Sequence, residues 1–290
     1  MTNALSFFAL LFFATLGAGG TLALAAGEAL GMRARVMTAT ALAALTLLLF
    51  GCGAVAFSFG RPELIFGVLR NSSTGIFREF ASLGAALMLL LLYLILVDRG
   101  AFERTTKPAA MLAGIAGPAA AVFAATSLYM PWRAGWHTLA MGLPALGWTI
   151  SAGAALFLLL AGREARREDF EDERMNALLK RALHWTPMTP FLPAIGVLFF
   201  LARLGFGEAP SDAPTAERLL MGDLALPFWI AAVLSGIICP AAAARLLRSR
   251  ALAEKPILLP AALMMLLSAL GSASFSWCVL RLGLPEWRFF

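Results

Sequence analysis

The chain has 290 residues, of which 60% are hydrophobic and 14% charged, with a formal charge of +6 and a mean hydropathy of +0.82. A soluble domain carries about 25% charged residues, and a core of this size cannot hide so much apolar surface from water. A water-soluble globular protein is therefore excluded, and the modest basic excess reads as loop bias across a bilayer, with no nucleic-acid footprint.

Eight apolar runs are long enough to cross a bilayer, which takes about 20 residues. They fall at about 4–26, 36–57, 77–97, 108–130, 138–161, 187–206, 220–246 and 256–280. The expected fold is all-α: one integral membrane domain over 1–290, eight transmembrane helices in a bundle. The first run lacks the Lys or Arg of a signal-peptide n-region and is read as a mature first helix. Pro118, Pro144 and Pro193 fall within spans, where neighbouring helices can satisfy the freed backbone groups. Gly17, Gly19, Gly20, Gly51, Gly53, Gly114 and Gly117 read as close-packing positions. No convincing internal repeat stands out.

With eight spans, the connectors on the N-terminal side hold 8 of the 23 Lys and Arg, and those on the other side hold 15. The positive-inside rule places the basic side in the cytoplasm and both termini outside, in the periplasm if the membrane is the inner membrane of a prokaryote. The mixed-charge run at 163–181 then reads as a solvated cytoplasmic extension.

The second connector, FSFGRPELIFGVLRNSSTGIFREF at 57–80, is unlike a plain loop. Gly60-Arg61-Pro62 sets a turn, and 63–70 reads as a short interfacial helix with Glu63 in its first turn and Arg70 at its end. Phenylalanines alternate with arginines up to Glu79. The pattern suits an apolar slot with polar edges at headgroup level, where a quinol could dock. Quinol oxidation releases two protons, and Glu79 is placed to accept one, with a nearby Arg stabilising the charge. Asn71-Ser72-Ser73 matches a glycosylation triplet too short to carry weight.

Glu79, Arg203, Asp223 and Arg281 are the notable charges near span ends, where snorkelling alone would explain them. Cys52, Cys239 and Cys278 lie inside apolar runs without metal-ligand spacing and read as packing thiols. His137 and His184 are the only histidines, and no His pair is set to ligate a haem within the bilayer. No haem and no metal-bound cofactor are expected.

The 57–80 stretch resembles the membrane anchor subunits of dimethyl sulfoxide reductase-type molybdoenzymes. That family reads about His-Leu-Gly-x-Pro-x-x-x-Phe-x-x-Leu, then an acidic residue opening the third helix. Gly60, Pro62, Phe66, Leu69 and Glu79 fit. Tyr129 followed by PWRAGWHTLAMGLPALGWT at 131–149 resembles the family's outer connector and fifth helix. The resemblance implies a haem-free anchor that oxidises menaquinol near the outer face in anaerobic respiration. It also implies two partners, a four-cluster iron–sulfur subunit that takes the electrons and a molybdopterin catalytic subunit that reduces the terminal substrate. By that resemblance the quinol site would comprise Glu79, Ser58, Gly60, Arg61, Pro62, Arg70, Tyr129 and His137. Two positions depart from the pattern. Ser58 stands where the family has His, and Ser268 to Ser272 replaces a Glu-x-x-Gly-Arg segment in the eighth helix. The alternatives are a polysulfide-reductase-type quinone-linked anchor and an unrelated permease.

Overall fold

A computed structural model describes residues 2–58, 74–100, 103–127, 129–130, 135–165, 182–207, 211–252 and 257–283. The Gly60–Arg70 turn and interfacial helix expected from the sequence, most of the 163–181 run and the triplet at Asn71 lie outside the described residues.

Eight helical stretches have the length and apolar character to cross a membrane, at Leu5–Leu30, Ala34–Ala54, Gly75–Asp98, Arg104–Thr126, Leu139–Arg163, Ala182–Gly205, Pro227–Ala251 and Leu258–Leu282. The chain is thus a multi-pass membrane protein, with no strand among the described residues. Its helices are α1 (Thr2–Leu30), α2 (Ala34–Ser58), α3 (Gly75–Asp98), α4 (Glu103–Thr126), α5 (Gly142–Ala165), α6 (Phe191–Gly205), α7 (Asp212–Leu220), α8 (Cys239–Leu252) and α9 (Leu258–Leu282). Eight passes put the N-terminus, the links after α2, α4 and α6, and the end of α9 at one end of the bundle.

Helix α1 is the central post, packing against α2, α4, α5 and α9. Outward faces carry Leu49, Phe50, Met88, Ile115, Ile195, Leu198 and Leu266, all exposed, as expected where lipid replaces water. Hydrophobic attraction between helices is weak in lipid, so close backbone approach matters more. Gly19 of α1 lies against Gly153 of α5, Gly20 against Ala44, and Gly114 and Gly117 of α4 against Ala25 and Thr21. The packing expectation holds at these glycines but not at Gly53, which faces open space.

Helices α5 and α6 cross through a matched pair of segments, Leu143-Pro-Ala-Leu-Gly147 and Leu192-Pro-Ala-Ile-Gly196. A Cβ on Gly147 would collide with the backbone of Pro193, and one on Gly196 with that of Pro144. The local repeat missed in the sequence is therefore a two-sided lock, since each glycine seats the other helix's proline.

The seventh span differs from the expected 220–246. Residues Asp212–Leu220 form a separate amphipathic helix, α7, within what reads in sequence as a connector. It ends where the amides of Met221 and Gly222 both donate to the Glu217 carbonyl, at 2.8 and 3.0 Å. The membrane-length helix begins beyond that turn. Its first part, Pro227–Ile238, is π-helical and runs directly into α8. Pro240 has no N–H to give the carbonyl of Gly236 four residues back. Trp148 Nε1–H donates to that carbonyl instead, at 2.8 Å, beside the contact of Gly236 with Gly271 of α9.

Hydroxyl pairs occupy the middle of the bundle. Thr15 donates to Ser272 at 2.9 Å, and Ser151 and Ser268 lie 3.0 Å apart. All four are buried. At the end away from the N-terminus, the buried Tyr93 donates to the Glu28 carboxylate, tying α3 to α1.

Candidate functional site

Helix α3 opens at Thr74, whose side-chain oxygen accepts the amide of Phe77 at 3.2 Å, so the helix starts just before the charged pair Arg78-Glu79. One turn in, Glu79 points inward and is only 3% exposed, whereas Arg78 is exposed. The snorkelling explanation therefore fails for Glu79. It fits Arg203, which is exposed, and Asp223, which makes an exposed two-point ion pair with Arg218 at 3.0 and 3.1 Å. It also fits Arg281, also exposed, which stacks over Trp277 at 5.7 Å.

The walls around Glu79 come from three helices. Gly75 seats against the backbone of Ser127 at the end of α4, leaving no room for a Cβ. That contact brings the Ser127 hydroxyl to the Glu79 carboxyl as a hydrogen-bonding neighbour, and Cys52 of α2 lies within electrostatic reach. Ser127 also donates to the Ala124 carbonyl at 2.8 Å, so its single proton is contested. Oε1 of Glu79 has no hydrogen-bond partner among the described residues. A buried polar atom without a partner costs roughly 1–3 kcal/mol, more for a charged group, so this arrangement is an uncommon one to keep.

A second carboxyl is buried at the same end. Asp212 opens α7 and is 1% exposed. His137 Nε2 lies 3.1 Å from its Oδ1. The two atoms do not form a well-aligned hydrogen bond, and neither Asp212 oxygen has another hydrogen-bond partner among the described residues. A small rotation of the imidazole ring would align the pair. Three features place the histidine. Gly135 adopts φ of +75°, a conformation costly for other residues. Trp136 Nε1 donates to the Val279 carbonyl of α9 at 2.7 Å, and the Met130 amide donates to the Trp136 carbonyl at 3.0 Å, closing the loop. From the other side Gly207 abuts the Asp212 carboxylate.

The expected site residues fall into two groups. Glu79 is buried beside the half-buried Ser127 and Cys52. His137 stands with Asp212, and Tyr129 lies at the neck of the same loop, 42% exposed. Ser58 ends α2, though its side chain is outside the description, as are Gly60, Arg61, Pro62 and Arg70 altogether. Sequence reasoning missed Asp212 and Ser127. The Ser211-Asp212-x-Pro214 helix start was the available sign for the first. Nothing local announces the second, because its role depends on where α4 ends against α3. Ser268 and Ser272, which stand at departures from the resembled pattern, are the buried hydroxyls paired with Ser151 and Thr15. No protein-family model matches the chain, and neither does any curated protein.

Proposed function

We propose that this protein is the membrane anchor and quinol-oxidising subunit of a dimethyl sulfoxide reductase-type molybdoenzyme. In this reading it passes electrons from menaquinol to an iron–sulfur subunit docked on the outer face of a prokaryotic inner membrane. One observation carries the reading: a carboxyl group buried one turn into α3, with an oxygen left unpartnered, at the end of the aromatic and arginine-rich 57–80 stretch. An acceptor-capable group kept dry and unsatisfied is suited to take a proton from a docked quinol hydroxyl. Ser127 would orient the carboxyl, and the helix start at Thr74 fixes its depth. His137, held by Asp212, and the exposed Tyr129 are assisting groups at the same end. The quinol gives up two electrons and two protons. Glu79 takes one proton, the other passes to water at the outer face, and the electrons leave to the partner's clusters.

Two measurements test this. Gentle solubilisation should bring iron–sulfur and molybdopterin subunits along with the chain. In that complex Glu79→Gln should lower quinol-dependent turnover by roughly 100-fold while assembly persists. Unchanged turnover removes Glu79 from the mechanism, and a chain that travels alone removes the partners.

A permease is the second reading, and specific features favour it: a π-helical span and buried hydroxyls at mid-bundle, the kind of irregularity transporters place at a midplane site. Solute uptake into liposomes holding the purified chain alone would decide for it.

A further inference from the structure

The end of the bundle opposite Glu79 holds a cleft of about 640 Å³ between α8 and the turn that leads into α6. Pro187, Met188 and Phe191 form its apolar wall, and Arg245, Arg248 and Ser249 form the polar one. Arg245 and Arg248 are three residues apart, so both project from one face of α8. Both are exposed, and neither makes an ion pair with any described residue. Met188 is 62% exposed, and Phe191 and Leu246 are also open, so the cleft faces the lipid side of the bundle. Trp185, largely exposed one turn before Met188, marks the level of the headgroups, where tryptophan is enriched.

We propose that this cleft binds the headgroup phosphate of an anionic phospholipid. Arg245 and Arg248 hold the phosphate, Ser249 donates a hydroxyl, and Met188 and Phe191 cover the first methylenes of an acyl chain. A guanidinium pair suits a phosphate through paired donors. Basic pockets between membrane helices are suited to anionic headgroups, and a soluble anion would leave the apolar wall unused. The proposal is independent of the quinol reading, because it concerns the other end of the bundle.

The test uses the full-length protein, delipidated in detergent and titrated with phosphatidylglycerol or phosphatidylcholine of matched acyl chains, with bound lipid counted by native mass spectrometry. Phosphatidylglycerol should bind in preference, and R245Q/R248Q should reduce that preference roughly 30-fold while phosphatidylcholine binding stays the same. R245K/R248K should retain most of it. A double Gln variant with the wild-type preference overturns the site, as does displacement of the lipid by an equal concentration of glycerol 3-phosphate, which would mark a soluble-anion site. Should the Gln variant fail to fold, the wild-type protein decides: equal binding of the two lipids overturns the proposal.

Discussion

Glu79 and Asp212 are both buried at one end of the bundle with oxygens unsatisfied among the described residues, and they differ in what stands beside them. Asp212 has the His137 imidazole 3.1 Å away, a glycine that leaves room for it and a loop locked by Trp136 to deliver the histidine, although neither of its oxygens has a formed hydrogen bond among the described residues. Glu79 has one contested serine hydroxyl and an oxygen with no partner. A buried acid beside a basic ring belongs to architecture, and removing half of such a pair is costly. Glu79 has only a neutral hydroxyl beside it and no basic partner among the described residues, so it is the better candidate for chemistry.

Substitutions can break that contrast. The largest effect is expected on turnover: Glu79→Gln should cost about 100-fold in quinol oxidation by the complex and leave the unfolding midpoint almost unmoved. Asp212→Asn should show the reverse ranking, and equal turnover losses in the two variants would erase the distinction. Next, His137→Leu should destabilise by about 3 kcal/mol, because it strands Asp212 in the interior. The double variant His137→Leu/Asp212→Leu should recover part of that loss in denaturant unfolding, which a purely steric role for the pair would not produce. Gly207→Ala should cost about 1–3 kcal/mol by forcing a methyl group into the Asp212 carboxylate. Ser127→Ala should cost about 1 kcal/mol and, more tellingly, shift the pH profile of turnover if Ser127 orients Glu79. Smallest is Arg218→Gln, which breaks an exposed ion pair and should change stability by less than about 1 kcal/mol.

Much of the fold was legible because the bilayer imposes a length, and a run of about 20 apolar residues declares itself without any knowledge of neighbours. The error came where that rule has no grip. Residues 220–226 are apolar enough to extend a span, but Gly222 and the two amides on the Glu217 carbonyl end a short helix there first. Glu79 was legible as a charge beside an apolar run, though its burial was not, since nothing in 75–98 says that α4 will end against Gly75. The His137–Asp212 pair was half legible: the histidine is scarce and conspicuous, but its partner lies in another connector. The lock between Pro144-Gly147 and Pro193-Gly196 was present as a five-residue echo, too short to separate from chance until the two helices were seen to cross.

That crossing bears on how the molecule is made. Helix α5 leaves the ribosome well before α6, and until Pro193 arrives Gly147 has nothing seated on it. During synthesis the notch at residues 144–147 must therefore wait inside the translocation machinery or against lipid. A nascent chain arrested before residue 190 should be labelled there by a photoreactive probe, and one arrested after α6 has emerged should be protected.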